Sequence, residues 1–166
     1  PNSIKKKISN KTKAIIAVDI FGKGWDIEKI KKIISGKNIK IISDSAQSPY
    51  SLYKNKIVGT LSEIGGYSLN CHKHINTGEG GVLVTNNGLI AKRLKLLRNH
   101  AENFPKLNSK KKLQNMVGYN FRLGEIEAAI GIEQYKKLKN ILIKRKKLFD
   151  LLSRNLKNLK GIVVPN

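Results

Sequence analysis

Apolar positions along this chain fall into short unbroken runs, separated by stretches in which isoleucine and leucine recur at helical spacing. Residues 13–18, Lys-Ala-Ile-Ile-Ala-Val, form one such run; it stops at Asp19 and Gly22 and reads as a strand covered on both faces. Ile27, Ile30 and Ile34 then fall on one helical face behind Asp26, whose carboxylate suits a helix N-cap, and Gly36 closes the helix. A second short apolar run leads straight into Asp44, completing a strand, helix, strand unit of the type that makes a right-handed crossover.

Residues 49–59 are polar and turn-rich and read as a connection without regular structure. Tyr67 and Leu69 alternate with Ser68 and Asn70 as in an extended segment. Thr77 to Gly81, with glycine at three of five places, is a turn, after which residues 82–85 return as a strand antiparallel to the first. Residues 87–98 predict a helix capped by Asn87, and residues 99–119 a long polar loop carrying Lys110 to Lys112. Leu123 to Leu138 is apolar nearly all round, which predicts a helix buried on several faces, one of them against a second subunit. Ile141, Leu148, Leu152 and Leu159 mark an amphipathic helix, and residues 161–165 read as the start of a strand. Strands alternating with helices in this order give an α/β fold with a mostly parallel sheet.

Composition changes this picture in one respect. The chain has 33 Lys and Arg against 11 Asp and Glu, a formal charge of +22, which raises nucleic acid as a partner. The lysines are scattered, however, and aromatic residues make up 6% of the chain, too few for stacking platforms. Lysine, isoleucine and asparagine are plentiful together, as A/T-rich coding would make them, so no specific nucleic-acid partner is expected. The lone Cys71 excludes an internal disulfide and is expected as a reduced thiol, buried or lining a pocket. With no apolar run of membrane-spanning length and no signal-like opening, the chain is expected to be soluble and cytoplasmic.

Two residues invite chemistry. Lys73 lies in a loop between two extended segments, with the Ser68 hydroxyl five residues upstream and His72 and His74 on either side. In so lysine-rich a chain the solvated-charge reading is the favoured one until a matched partner is found elsewhere. The two histidines lack a third ligand, so no metal is expected, and the glycine turn is not followed by the lysine–serine pair of a phosphate loop. Asp44 arrives at the carboxyl end of a strand, where α/β sheets bind their ligands, although alone it could simply cap a helix.

Three stretches decide between these readings: Asp44-Ser-Ala-Gln47; Gly66-Tyr-Ser-Leu with Lys73 and Thr77-Gly-Glu-Gly-Gly81; and Gly118-Tyr-Asn-Phe-Arg-Leu followed by Glu127-Ala-Ala-Ile-Gly131. In order and spacing they resemble the sugar aminotransferases of the DegT/DnrJ/EryC1/StrS family, pyridoxal phosphate enzymes of the aspartate aminotransferase fold. The resemblance implies that residues 1–138 are part of the large cofactor-binding domain and 139–166 a connecting helix and the start of a truncated small domain. Family members are more than twice as long, so the chain is expected to be a fragment. It would lack the helix N-terminus that meets the phosphate, the ring-stacking aromatic and most of the small domain.

The resemblance also implies roles. Asp44 would sit beside the ring nitrogen of pyridoxal 5′-phosphate. Lys73 would hold the cofactor covalently and then shuttle the substrate proton. Ser68 would bond the phosphate, and Gln47 would lie against the cofactor near its 3′ oxygen. Asn120 would reach the phosphate of the other subunit in a homodimer, and Arg122 could meet an anionic group of a substrate. The implied activity is transfer of an amino group, from glutamate, to a nucleotide-linked ketosugar in polysaccharide or cell-surface glycan biosynthesis. Members that dehydrate sugars carry histidine at the lysine position, so Lys73 favours transamination. The alternatives are a dehydratase or aldolase using the same cofactor, and a basic binding protein with no catalysis.

Overall fold

The computed structural model describes residues 1–102 and 116–164. Ten elements follow in order: α1 (Asn2–Lys7), β1 (Ala14–Val18), α2 (Ile27–Ile34), β2 (Lys40–Asp44), β3 (Leu52–Tyr53), β4 (Lys56–Ile57), β5 (Ile64–Ser68), β6 (Gly81–Val84), α3 (Gly88–Arg98) and α4 (Glu125–Leu156). Four strands form one sheet in the order β1-β2-β5-β6. The β1, β2 and β5 strands run parallel, and β6 returns antiparallel to β5 as the glycine turn predicts.

The register decides which side chains share a face. Val18, Asp44, Gly66 and Leu83 lie abreast across the four strands, and Ser68 opposite Gly81 is on the same face. Ala17, Ser43, Gly65 and Val84 lie abreast on the other. That second face carries the core. There α2 presents Ile27 and Ile30 to Ala17, Ile41 and Trp25, and the Trp25 indole donates to Ser43 Oγ at 2.9 Å. Asp26 caps α2 by accepting from the Lys29 amide at 3.3 Å, as its position predicts. Farther along the chain, Leu138 of α4 packs on Leu69 and Ile75, with Ile141 and Leu142 alongside.

The first face is bare. Ile16 is 69% exposed and Leu83 60% exposed, although parallel strands are ordinarily covered on both sides. Thus the face that carries Asp44 and Ser68 is open along its whole width among the described residues.

Several expectations are corrected. Residues 49–59 contain a small hairpin, β3 paired with β4, rather than only a connection. The two C-terminal helices are one: α4 is 32 residues long and passes residue 138 without a break. Nor is its first half buried all round within this chain, because Ile126 is 76% exposed, Ile132 and Tyr135 are exposed too, and Leu138 alone is fully buried. Cys71 is a free thiol but exposed, not buried. Asp44 does not cap a helix; its Oδ1 accepts from the Ala46 amide at 3.1 Å, closing a turn. Residues 162–164 form no strand, and the Lys110 to Lys112 run lies outside the described residues.

Candidate active site

Asp44 is the last residue of β2, and its strand neighbour on the functional face is Gly66 of β5. Gly66 puts no side chain on the sheet between Asp44 and Leu83. Two residues farther along β5 stands Ser68. One strand sideways and two residues along separates the Asp44 and Ser68 backbones by about 8 Å, from standard strand geometry. That span suits an aromatic ring with a phosphate arm.

The β5 strand ends in a loop held tightly by its own polar groups. The Leu69 and Gly80 backbones pair at 2.9 Å, the Thr77 amide returns to the Leu69 carbonyl at 2.9 Å, and Thr77 Oγ1 donates to the Glu79 carbonyl at 2.7 Å. Asn70 donates to Glu79 at 2.7 Å and accepts from the His72 amide at 3.1 Å. Within this frame the Lys73 amide bonds the Asn70 carbonyl at 2.9 Å, and its side chain is half-buried. His74 is pushed below the ordinary histidine range by burial, with Arg145 of α4 and Lys73 adding repulsion to its charged form.

The turn from Asp44 to Ser48 is fixed from both sides. The Ser45 amide bonds the Gly66 carbonyl at 2.9 Å on the β5 side. On the β1 side it meets Asp19, a buried carboxylate that sequence reasoning treated as a strand terminator. Ser45 Oγ donates to Asp19 Oδ2 at 2.5 Å, and Ser48 Oγ to the Asp19 carbonyl at 2.8 Å. Gln47, exposed, sits within this clamped turn. No local pattern marks the tie between Asp19 and this turn, because Ser45 and Ser48 lie 26 and 29 residues away.

Asn120 is elsewhere. It forms an isolated bridge with Asn99 beyond the end of α3, and it is exposed. Arg122 next to it donates to Asn99 Oδ1 at 2.7 Å, a structural contact at the base of the segment. The structure therefore puts Asp44 and Ser68 on one face, Gln47 on the adjoining turn and Lys73 on the loop that leaves the same strand end. No hydrogen bond joins Asn120 to any of them. A cavity of about 640 Å³ lies mainly elsewhere: Tyr67, Val82, Val84 and Tyr135 line it, on the face away from Asp44, and Ser68 is among its lining residues.

The donor set fits pyridoxal phosphate. A second carboxylate oxygen on Asp44 with no hydrogen bond among the described residues, a hydroxyl at the far end of the same face, a side-chain-free floor at Gly66 and an amine on the flanking loop are the kinds of group that a ring nitrogen, a phosphate, a ring plane and an aldehyde call for.

Comparison with known proteins agrees with this geometry. The profile of the DegT/DnrJ/EryC1/StrS aminotransferase family matches residues 1–166. GDP-perosamine synthase of Escherichia coli O157:H7 is 33% identical over 158 residues, covering 95% of this chain and 42% of that protein. The UDP-4-amino-4,6-dideoxy-N-acetyl-beta-L-altrosamine transaminase of Helicobacter pylori is 35% identical over 143 residues, 86% of this chain and 38% of that one. Among solved structures, Helicobacter pylori PseC, an aminotransferase of pseudaminic acid biosynthesis, superposes with a TM-score of 0.86 at 32% identity, covering 95% of this chain and 42% of PseC. The E. coli GDP-4-keto-6-deoxy-D-mannose-3-dehydratase with bound hydrated PLP gives 0.83 at 34% identity, covering 95% and 44%. The chain thus spans about two-fifths of the length of these relatives. With its profile match running from end to end and its sheet superposing on theirs, the chain belongs to the DegT/DnrJ/EryC1/StrS aminotransferase family.

Proposed function

We propose that this chain carries the central part of the cofactor site of a pyridoxal phosphate-dependent aminotransferase, which moves an amino group from glutamate to a nucleotide-linked ketosugar in glycan biosynthesis. The observation that carries the reading is the shared face: Asp44 and Ser68 stand on one open side of the sheet with Gly66 between them, and Lys73 leaves the same strand end. Relatives named as transaminases and perosamine synthases support the substrate class.

Bound pyridoxal phosphate would supply an aldehyde for the donor amine and a ring that accepts the electron pair released at the donor's Cα. Asp44 would hold a proton at the ring nitrogen through Oδ2, with its Oδ1 on the Ala46 amide. Lys73 Nζ would hold the group and would be the amine that takes the proton from the donor's Cα. Ser68 Oγ would donate to the phosphate, and Gln47 would lie against the cofactor. Asn120, exposed and unconnected to the other four, serves the site of a second copy, so the working unit is a homodimer with shared sites. Residues 1–138 belong to the large cofactor-binding domain, and 139–166, opening with the second half of α4, lead into a second, smaller domain.

A second reading keeps the cofactor and changes the reaction. A GDP-4-keto-6-deoxy-D-mannose 3-dehydratase of E. coli is 34% identical over 158 residues. An amine at position 73 rather than an imidazole favours transamination. The two separate when the full-length protein is given a nucleotide-linked 4-ketosugar and glutamate. An aminosugar with equimolar 2-oxoglutarate supports our reading; a deoxyketosugar with no amine incorporated overturns it in favour of dehydration.

A further inference from the structure

Asp19 is a buried carboxylate with every polar group engaged. Its side chain is fully buried, and each of its four polar groups has one partner. The amide donates to the Asp44 carbonyl at 2.8 Å, extending the β1–β2 ladder one residue past the strand ends. The carbonyl accepts from Ser48 Oγ at 2.8 Å, Oδ2 from Ser45 Oγ at 2.5 Å and Oδ1 from the Trp25 amide at 3.2 Å. Three of the four bonds therefore end on the turn from Asp44 to Ser48. Ser48 Oγ also accepts from the Gly22 amide at 3.1 Å, which ties the loop after β1 to the same turn.

A buried carboxylate is expensive to keep, since its charged form loses hydration that only good donors replace. Had the fold needed only a cap for the loop before α2, the single bond to the Trp25 amide would have served. We propose that Asp19 is a positioning residue, the fixed post to which the turn bearing Asp44 and Gln47 is tied so that both side chains stand correctly against the cofactor ring. This deepens the reading above and rests on it.

The mechanism is mechanical and electrostatic. Without the Asp19 carboxylate, Ser45 Oγ loses the acceptor it uses in the folded chain, and its residue can turn. Asp44 follows Ser45 directly in the chain, and a displacement of about 1 Å at such a contact weakens a charge-assisted hydrogen bond severely. Burial raises the Asp19 carboxyl above the ordinary carboxylate range and the neighbouring Asp44 carboxylate adds to this, while the Ser45 and Trp25 donors oppose it. Asparagine at position 19 preserves the geometry with reversed polarity, its amide nitrogen donating to Ser45 Oγ and its oxygen still accepting from Trp25. Alanine preserves nothing.

The test uses the full-length protein in five forms: wild type, Asp19→Ala, Asp19→Asn, Ser45→Ala and the core variant Ile30→Ala, whose apolar side chain packs in the cluster with Trp25 and bonds nothing in the turn. Pyridoxal 5′-phosphate dissociation constants are measured by fluorescence titration, and hydrogen exchange of the 44–48 peptides is measured without cofactor. Asp19→Ala should raise the dissociation constant about tenfold or more, the scale of a buried donor left without its acceptor, and should speed exchange at 44–48. Asp19→Asn should recover most of both. Ile30→Ala, although it unfolds more easily, should leave both within about twofold of wild type. If Asp19→Ala does not fold, Ser45→Ala carries the same expectation. Binding and exchange in Asp19→Ala or Ser45→Ala that match Ile30→Ala would overturn the proposal. A wild type that fails to bind the cofactor would instead overturn the function proposed above, and the exchange measurement would still decide whether Asp19 holds the turn.

Discussion

Gly65 and Gly66 are consecutive on β5 and face opposite ways, so a methyl group added to each meets different surroundings. At Gly65 an ideal Cβ would lie 2.1 Å from the Gly59 carbonyl oxygen, 2.6 Å from its carbon and 2.7 Å from Gly59 Cα. All three are backbone atoms, so no side-chain rotation relieves the clash. Reaching ordinary contact requires the strand and the 59 turn to part by more than about 1 Å. The strand cannot move freely, because the Glu63 amide bonds the Ile41 carbonyl at 3.1 Å and the Ser45 amide bonds the Gly66 carbonyl at 2.9 Å. Overpacking of this kind costs about 1–3 kcal/mol in side-chain cores, and a backbone-to-backbone clash belongs at or above the upper end. Gly65→Ala should therefore destabilise the protein by about 3 kcal/mol, lowering the urea midpoint of its first unfolding transition by about 1 M or more. At Gly66 the added Cβ would meet only Leu83 Cδ2, at 3.5 Å, an ordinary contact. Gly66→Ala should leave the midpoint within about 0.5 M of wild type, yet weaken pyridoxal phosphate binding, since the methyl rises from the floor between Asp44 and Ser68. Equal midpoints for the two variants, or unchanged cofactor binding in Gly66→Ala, would refute the assignment of faces on which the site rests.

Other expectations follow from the same structure. A mixed dimer of one Lys73→Ala chain and one Asn120→Ala chain should regain part of the wild-type turnover that each homodimer lacks, because both lesions then fall in one site; no gain in demonstrably mixed dimers would place Asn120 in its own subunit's site. His74 is held below its ordinary 6.5 in the folded chain, so protonation favours the unfolded state and stability should fall as pH drops from about 6.5 through the depressed folded value; His74→Gln should flatten that part of the stability–pH curve, and an unchanged slope would contradict the burial argument. The charge of +22 should give only weak, non-selective retention on nucleic acid that near-physiological salt removes; a sequence-selective complex surviving such salt in a filter-binding assay would favour a binding protein.

What could be read from the residues was what local chemistry encodes. The isoleucine spacing and Asp26 mark α2, Asn87 caps α3 by accepting from the Leu89 and Ile90 amides, and the apolar runs into Asp19 and Asp44 mark β1 and β2. The places of Asp44 and Ser68 at strand ends, and of Lys73 in the loop after β5, were legible from the apolar runs and the glycine turn. The hairpin at 52–57 was hidden. Its turn needs positive φ at Lys54 and Asn55, which lie at 47° and 63°, and no glycine announces it. The continuity of α4 was missed because nothing apolar falls at Lys139 and Asn140, although neither residue breaks a helix. The exposure of Ile126, Ile132 and Tyr135 escaped for a different reason: a helix apolar all round says that it is to be covered, and not by what. The tie from Asp19 to the turn was invisible since the bonds from Ser45 and Ser48 come from 26 and 29 residues away, each from a residue with its own local explanation.

The central claim is that Lys73 faces the same cofactor as Asp44. Full-length protein loaded with pyridoxal phosphate and reduced with borohydride, then digested and mapped by mass spectrometry, tests it in one step. The account predicts a single pyridoxyl group on the peptide containing Lys73, and its loss in Lys73→Ala. A pyridoxyl group on any other of the chain's lysines, or none on a protein that is visibly loaded, would contradict it.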